Sequence, residues 1–323
     1  MSRNAKGELH VALLAGGDSA ERVVSLASGE QAAKALASIG HRVTKFDPAE
    51  IKLSAIDWRR YDVCFIALHG GAGEDGRVQA ELEALGVPYT GSNPAASRWA
   101  MSKSAAKERF ERAGAPTLPS VLVSRNESLD EVASLAAPLG YPLVVKPDSG
   151  GSSLGVGFAA SIAELAECIA EAGRYDPQLL MEPGIAGREF TVAVMGRQPL
   201  PLLEIAAPHG WFDYRAKYES EATEYRFETG LPAPTVARLQ AIAVAAAAAL
   251  GTNGLVRVDL ILDRNERPWV LEVNSVPGLT SHSLAPMAAA REGIEFAALC
   301  NWMLQDALRK ASEIRHVLLE TSR

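Results

Sequence analysis

Four polar residues within 255–277 have types and spacing suited to metal and phosphate chemistry. Arg257 and Asp259 alternate with apolar neighbours in Leu-Val-Arg-Val-Asp-Leu-Ile-Leu, and Glu272 and Asn274 do the same in Pro-Trp-Val-Leu-Glu-Val-Asn. A strand has a period of two, so each pair shares one face of its strand. Between the two runs, Asp263-Arg264-Asn265-Glu266 reads as a polar turn. An antiparallel hairpin can bring both pairs to the same face. Two carboxylates and a carboxamide oxygen form an all-oxygen donor set. Such a set suits a hard cation such as Mg2+, held together with substrate phosphates. A hairpin with one solvated polar face has the same pattern, so register decides between the two: the turn from Asp263 to Arg267 must bring Asp259 opposite Glu272 and Asn274.

Other segments carry donors of their own. Lys146-Pro-Asp-Ser-Gly-Gly-Ser-Ser-Leu-Gly-Val-Gly157 leaves a strand, and its glycine amides, serine hydroxyls and lysine could cradle a phosphate. It is neither a Walker pattern nor a glycine fingerprint opening a helix, and a flexible surface loop has a similar composition. Glu182-Pro183-Gly184-Ile185 follows a strand and could present backbone groups to a purine, or could be an interdomain turn. Lys103 lies within an expected helix, and Lys217-Tyr218 within a long polar stretch. Glu21 and His69 each end a strand-turn unit; a lone histidine beside glycines is more often structural than catalytic. Gly278-Leu-Thr-Ser-His-Ser283-Leu284 offers N–H and hydroxyl donors for a carboxylate, and equally fits a capped helix start.

These residues need a scaffold. The first third alternates strand (10–15), helix (20–39), strand (41–46), strand (62–68), helix (78–85) and a short strand (88–90), which implies a parallel sheet flanked by helices. Ligands of such sheets sit beyond the carboxyl ends of the strands, where the loops at Gly16 and His69 fall. Gly91-Ser-Asn-Pro94 marks a boundary. One helix is expected over 95–113. Then come strand 120–123, helix 128–135, strand 143–145, the glycine-rich segment 146–157, helix 161–171, strand 178–181 and a turn at Glu182-Pro183-Gly184. The chain is strand-rich over 189–205 and irregular over 206–231. A helix over 236–250 precedes the hairpin, a loop spans 277–286, and an amphipathic helix spans 296–310.

At 323 residues the chain is long enough for two or three domains, and its 48% hydrophobic content can fill their cores. A net charge of -7 provides no basic field for nucleic acid. The three cysteines are far apart, without metal-ligand spacing, and fit a reducing compartment. The apolar run 11–15 is too short for a secretory signal, and 242–250 is too short for a membrane span. A cytoplasmic chain without membrane partners is therefore expected.

Taken in order, the motifs resemble those of the D-alanine–D-alanine ligases, ATP-grasp enzymes of peptidoglycan synthesis. The resemblance runs to about residue 310. It rests on Gly-Gly-Asp-Ser-Ala-Glu-Arg, Ala-Leu-His-Gly-Gly-Ala-Gly-Glu-Asp-Gly, Pro-Tyr-Thr-Gly-Ser, Val-Lys-Pro with Gly-Ser-Ser-Leu-Gly-Val, Glu-Phe-Thr-Val, Lys-Tyr, Arg-Val-Asp, Leu-Glu-Val-Asn-Ser-Val-Pro-Gly and Thr-Ser-His-Ser-Leu. It implies an α/β ATP-grasp fold: an N-terminal parallel α/β substrate domain (1–94), then central (95–184) and C-terminal (185–323) subdomains clasping the nucleotide, the last with a lid loop at about 207–228.

The activity implied is the joining of two D-alanines through an acyl phosphate, with ATP as co-substrate. Two Mg2+ ions are implied as cofactors, Mn2+ and K+ being left open, and relatives are commonly homodimers. Asp259, Glu272 and Asn274 match the family's Mg2+ ligands. Lys103, Lys146 and Lys217 match its phosphate lysines. Glu182, Pro183 and Ile185 match the adenine edge, and Glu189 the ribose contact. Glu21 matches the group holding the first D-alanine ammonium, with His69 near that substrate. Ser152 and Tyr218 match Glu21's partners in a triad that locks the lid. Arg257 and the Gly278 N–H match the oxyanion site, and Ser283 and Leu284 the groups receiving the second D-alanine carboxylate.

The chain departs from the pattern in three places: at Pro183, where relatives often carry lysine; at the first glycine of the cradle, often acidic elsewhere; and at Val23-Val24, where Glu-Val is common. Tyr218 favours D-alanine over a D-hydroxy acid acceptor, since the D-lactate-using relatives typically have phenylalanine there. Another ATP-grasp ligase with a different acceptor is the second reading. A nucleotide-binding regulator without catalysis is the third; it would have no need to keep Asp259, Glu272, Asn274 and Arg257 together.

Overall fold

A computed structural model describes residues 7–206 and 223–321. Lys217, Tyr218 and most of the expected lid segment fall outside these described residues. The chain opens with β1 (His10–Leu14), α1 (Arg22–Ser38), β2 (Arg42–Phe46) and β3 (Val63–Ile66), which form a parallel sheet in the order β2-β1-β3. Val11, Leu13, Val63 and Phe65 are fully buried, as expected of strands covered on both faces. The expected strand at 88–90 reduces to a single bridge between Tyr89 and Cys64, and α2 (Arg77–Ala84) precedes it.

The helix expected over 95–113 is two helices, α3 (Pro94–Met101) and α4 (Lys103–Arg112). They break at Ser102, whose backbone is extended (φ -86, ψ 111). The Ser102 hydroxyl accepts from the Ala105 N–H and donates to Asp148 Oδ2 at 2.8 Å. Asp148 also accepts from the Ser104 N–H at 2.8 Å, and its carbonyl accepts from the Lys103 N–H at 2.9 Å. A serine cap held by a distant aspartate thus starts a new helix. Lys103 becomes its first residue rather than a mid-helix one.

The second sheet comprises β4 (Val121–Ser124), β5 (Leu143–Pro147), β6 (Gly157–Ala159) and β7 (Gln178–Pro183), ordered β4-β7-β5-β6. Helices α5 (Leu129–Ala136) and α6 (Ile162–Ala172) cover one face. Strand β6 ends the glycine-rich segment, where none was expected. Glu182 and Pro183 belong to β7, paired with Val144 and Leu143, rather than to a turn. The ladder extends because β5 offers partners along its whole length, a long-range fact absent from the local composition.

The third sheet contains β8 (Gly187–Met195), β9 (Gln198–Pro199), β10 (Leu203–Ala206), β11 (Glu224–Arg226), β12 (Leu255–Asp263) and β13 (Pro268–Asn274). Its main order is β11-β10-β8-β12-β13. Strand β11 falls in a stretch read as irregular. Helix α7 (Ala233–Ala249) lies on one face, where Leu239, Ala243, Ala246 and Ala247 meet Phe190, Val192, Val258 and Leu260. Its alanines let the helix approach the sheet closely, which explains the alanine run. Arg257, Asp259 and Glu189 point to the opposite face.

Two final helices, α8 (Leu284–Arg291) and α9 (Phe296–Thr321), return to the first sheet. Leu299, Cys300 and Leu304 share a core with Val11, Leu13 and Phe65. Helix α8 starts inside the expected loop 277–286, and α9 runs beyond its expected end at 310.

Between β12 and β13 the register is irregular. Leu262 faces Pro268, Ile261 faces Trp269 and Leu260 faces Val270, but Asp259 faces Glu272 and Arg257 faces Asn274. Leu271 is the extra residue of a β-bulge. Strict alternation from the turn would put Glu272 opposite Val258, on the face packed against α7, because a one-residue slip exchanges the faces of a strand. The bulge returns Glu272 and Asn274 to the face of Asp259. Val270 and Val273, three residues apart, accordingly both enter the α7 core.

The turn that sets this register is tied by Asp263. Its Oδ1 accepts from the N–H groups of Asn265 (2.8 Å) and Arg267 (2.9 Å), and its Oδ2 from Arg267 Nε (2.9 Å) and Trp269 Nε1 (3.3 Å). Burial pushes the carboxyl pKa up, but these donors outweigh it and hold the group at about 2. A carboxylate depressed in this way stabilises the fold above its unfolded pKa and loses that contribution as pH falls through the folded value. Asp263→Asn is therefore expected to lower the melting midpoint at neutral pH, with the deficit shrinking as pH falls from about 4 toward about 2. Calorimetry across that range checks this; a deficit independent of pH would show that the charge contributes nothing.

Candidate active site

Two adjoining chambers lie between the three sheets. The first is lined by Lys103, Lys146, Glu182, Pro183, Ile185, Glu189, Asp259 and Glu272, among others. The second, of about 410 Å³, is walled by Glu21, His69, Ser152, Arg257, Asn274, Gly278, Ser283 and Leu284. Lys103, Gly150, Gly151 and Glu272 border both. Every candidate residue within the described segments therefore reaches one chamber or the other. Lys217 and Tyr218 are the two that lie outside those segments.

On the hairpin face, Arg257 holds Asp259 with a two-point grip, Nε to Oδ1 at 2.9 Å and Nη2 to Oδ2 at 2.8 Å. The Thr191 hydroxyl donates to Asp259 Oδ1 at 2.6 Å. Asn274 Oδ1 accepts from the Val276 N–H at 3.1 Å. Asp259 and Glu272 are cross-strand partners, and like charges placed directly opposite are unfavourable unless a cation compensates. Among the described residues no three His, Cys, Asp or Glu side chains cluster as a metal site. A cation here would rest on two carboxylates and the Asn274 carboxamide, a donor set that fits Mg2+ completed by phosphate oxygens.

One wall of the first chamber is basic. Lys103 is buried and its Nζ donates to the Gly150 carbonyl at 2.9 Å. Burial pulls its pKa below the usual lysine value, an effect that the nearby Glu272 opposes. Glu182 is ion-paired through one carboxylate oxygen to Lys146 and through the other to Lys107. Burial pushes the Glu182 carboxyl up, but the attraction of Lys146 and Lys107 outweighs it and holds the group below the usual range. Its side chain thus turns to the lysines. Pro183 beside it lacks an N–H but keeps its carbonyl.

In the second chamber the Ser152 hydroxyl donates to Glu21 Oε1, joining loops 131 residues apart. Ser152 and Ser153 both have positive φ (52° and 55°), a conformation costly for residues with a Cβ. Gly70 has a clear requirement: a Cβ there would lie 2.5 Å from Glu21 Oε2. His69 is committed at both ring nitrogens, to the Val276 carbonyl at 3.1 Å and the Ser28 hydroxyl at 2.8 Å. It is 5% exposed and forms wall rather than a mobile acid or base. Ser283 is the N-cap of α8, yet its side chain caps nothing in that helix and bonds Thr280 instead, with oxygens 2.8 Å apart. Leu284 and Ala285 open α8, where backbone N–H groups have no intrahelical partner, and Pro286 has no N–H.

The sequence reading missed several groups. Lys107 stands four residues after Lys103, on the same face of α4, a spacing that could have flagged it. Thr191 follows Glu189 by two, on the same strand face. Leu271 left no local signal. No helix among the described residues is long and apolar enough to cross a membrane.

The chain is similar to known proteins over most of its length. Residues 41–92 match the family model described as D-ala D-ala ligase N-terminus, and residues 110–305 that described as D-ala D-ala ligase C-terminus. The D-alanine–D-alanine ligase of Halorhodospira halophila is 44% identical over 300 residues, covering 93% of this chain and 96% of that protein. That of Synechococcus sp. is 42% identical over 311 residues, covering 95% of this chain and 96% of that protein. Among solved structures, the Bacillus anthracis D-alanine–D-alanine ligase aligns with a TM-score of 0.83 at 33% identity, covering 94% of this chain and 99% of that one. A second structure of that enzyme, complexed with ATP, aligns with the same TM-score of 0.83 at 30% identity, with the same coverage. The fold is thus ATP-grasp, and the chain belongs to the D-alanine–D-alanine ligase family.

Proposed function

We propose that this protein joins two D-alanine molecules into D-alanyl-D-alanine with the conversion of ATP to ADP and phosphate, supplying peptidoglycan precursors in the cytoplasm. One observation carries the reading: the oxygen-rich hairpin face, Lys103 and Lys146, and the Glu21–Ser152 pair converge on two chambers with a shared wall. The division into 1–94, 95–184 and 185–323 follows from it, with α8 and α9 packing back on the first unit.

In this reading the first chamber takes ATP. The purine lies along Glu182, Pro183 and Ile185, the ribose meets Glu189, and Lys103, Lys146 and Lys217 face the phosphates. Asp259, Glu272 and Asn274 would hold Mg2+, with Glu272 shared between two ions. When bound, the metal would neutralise charge on the transferring phosphoryl group.

Glu21, oriented by Ser152, takes the ammonium of the first D-alanine, whose carboxylate attacks the γ-phosphorus and releases ADP. The amine of the second D-alanine, docked by its carboxylate at Ser283 and Leu284, attacks the acyl carbon and expels phosphate. Arg257 and the Gly278 N–H face the developing oxyanion, a placement worth roughly 3 kcal/mol per donor in comparable sites. A guanidinium has five N–H donors, so gripping Asp259 with two does not conflict with this role.

The direct test is ADP release and product identification with D-alanine, L-alanine, and D-alanine plus D-lactate. D-alanine alone should yield ADP and the dipeptide, with no L-alanine product and no depsipeptide. Absence of both ADP and dipeptide with D-alanine in Mg2+ would refute the reading. Substituting Mn2+ for Mg2+ and adding K+ in the same assay measures those dependences, and sedimentation measures whether the chain is a homodimer.

Asp259→Asn and Glu272→Gln should each lower kcat by about 100-fold or more while the melting midpoint stays near wild type. Turnover at the wild-type rate in either variant would remove that residue from the metal set.

A further inference from the structure

Lys107 lies one turn along α4 from Lys103, yet it lines neither chamber. It is 3% exposed. Its ammonium is ion-paired with Glu182 Oε1 and donates to Thr117 Oγ1 at 2.7 Å. Glu182, 1% exposed, gives its other oxygen to Lys146, which does line the first chamber. One carboxylate is therefore shared between two ammonium groups, and the buried triad carries a single net positive charge. Thr117 continues the chain of contacts: its hydroxyl donates to the Val270 carbonyl at 3.2 Å, and the Val270 N–H donates to the Pro116 carbonyl at 2.8 Å. Val270 immediately precedes the bulge residue Leu271.

We propose that Lys107 is a positioning residue for nucleotide use: by occupying half of the Glu182 carboxylate it leaves the charge of Lys146 available to the phosphates, and through Thr117 it fixes that lysine relative to the hairpin. The inference rests on the reading of Lys146 as a phosphate lysine. A buried carboxylate facing a single ammonium forms a neutral, tightly held pair, because attraction is strong where water is excluded. Without Lys107, Glu182 would hold Lys146 in such a pair and remove the positive charge from the chamber wall. With Lys107 present, Glu182 is satisfied from behind. The ladder of β7 against β5 keeps Glu182 and Lys146 close in either case, so the effect of Lys107 is on charge and aim rather than on whether the strands pair.

The test is steady-state kinetics with ATP and D-alanine varied separately. Lys107→Met is expected to raise KM for ATP about tenfold, while KM for D-alanine and the melting midpoint change little. Lys107→Arg, which keeps the charge, should stay near wild type. The double variant Lys107→Met with Glu182→Gln frees Lys146 again and should recover most of the lost ATP affinity, although it removes one more buried contact than the single variant. A purely structural role predicts the reverse, a double variant worse than either single one. Lys107→Gln keeps a donor for Thr117 and serves in place of Lys107→Met if the latter does not fold. An unchanged KM for ATP in Lys107→Met, or no recovery in the double variant, would overturn the proposal. Lys146→Met separates the two levels. If it leaves KM for ATP unchanged, the phosphate assignment of Lys146 itself is wrong; if it raises KM for ATP while Lys107→Met does not, only the role of Lys107 fails.

Discussion

The site depends on a single extra residue in one strand. Leu271 is the bulge that puts Glu272 opposite Asp259 and Asn274 opposite Arg257. Asp263 fixes the turn on one side of the bulge, and β8 fixes β12 along nine consecutive partners from Leu255 to Asp263 on the other. With both ends of the hairpin pinned, the offset has to be absorbed where the bulge sits. The bulge serves two faces at once. It keeps Val270 and Val273 in the α7 core and releases Leu271, Glu272 and Asn274 to the chambers. A regular strand would put Val270 on the same face as Glu272 and Asn274 and on the face opposite to Val273, so it could not bury both valines and present both polar residues.

Charge organises what register positions. The hairpin face is acidic, and the opposing wall supplies Lys103 and Lys146 from two different elements. The charges have partners within the protein: Asp259 has Arg257, Glu182 has two lysines, and Lys103 has the Gly150 carbonyl together with the field of Glu272. Unpaired buried charges would cost several kcal/mol each, so this pairing lets a region of such charge density fold.

Much of this was legible from the sequence because it is local. Period-two alternation marked β12 and β13, the glycine-serine run marked the cradle, and strand-helix alternation marked the parallel sheet with loops at its carboxyl ends. What escaped was set at long range. The break between α3 and α4 needs Asp148, 46 residues from Ser102. The extension of β7 through Pro183 needs β5. The bulge is defined only by counting back from a partner strand, and no composition rule locates it. Lys107 takes its meaning from Glu182, which stands between it and Lys146. His69, whose setting beside glycines reads as more structural than catalytic, has both ring nitrogens claimed by Ser28 and Val276.

The contact between Glu21 and Ser152 shows why the parts must be separate in the chain. Ser152 and Ser153 hold strained left-handed backbone within a loop rich in glycine, and each such residue costs of order 1 kcal/mol or more. That cost is tolerable only while the loop is tied at both ends. Asp148 anchors it to α4 at one end, and the Glu21 contact anchors it to the first domain near the other. The loop is thus a strap between α4 and the loops of the first sheet, and its strained residues lie where the two chambers meet. Alanine at Gly70 would push a Cβ into Glu21 and loosen the strap from the first domain, whereas loss of Ser102 would loosen it from α4. Either change should reach Lys103, since that lysine takes its backbone bond from Asp148 and its side-chain bond from Gly150. Glu21, Ser152 and Lys103 are therefore mechanically one unit, although they come from segments that share no strand or helix.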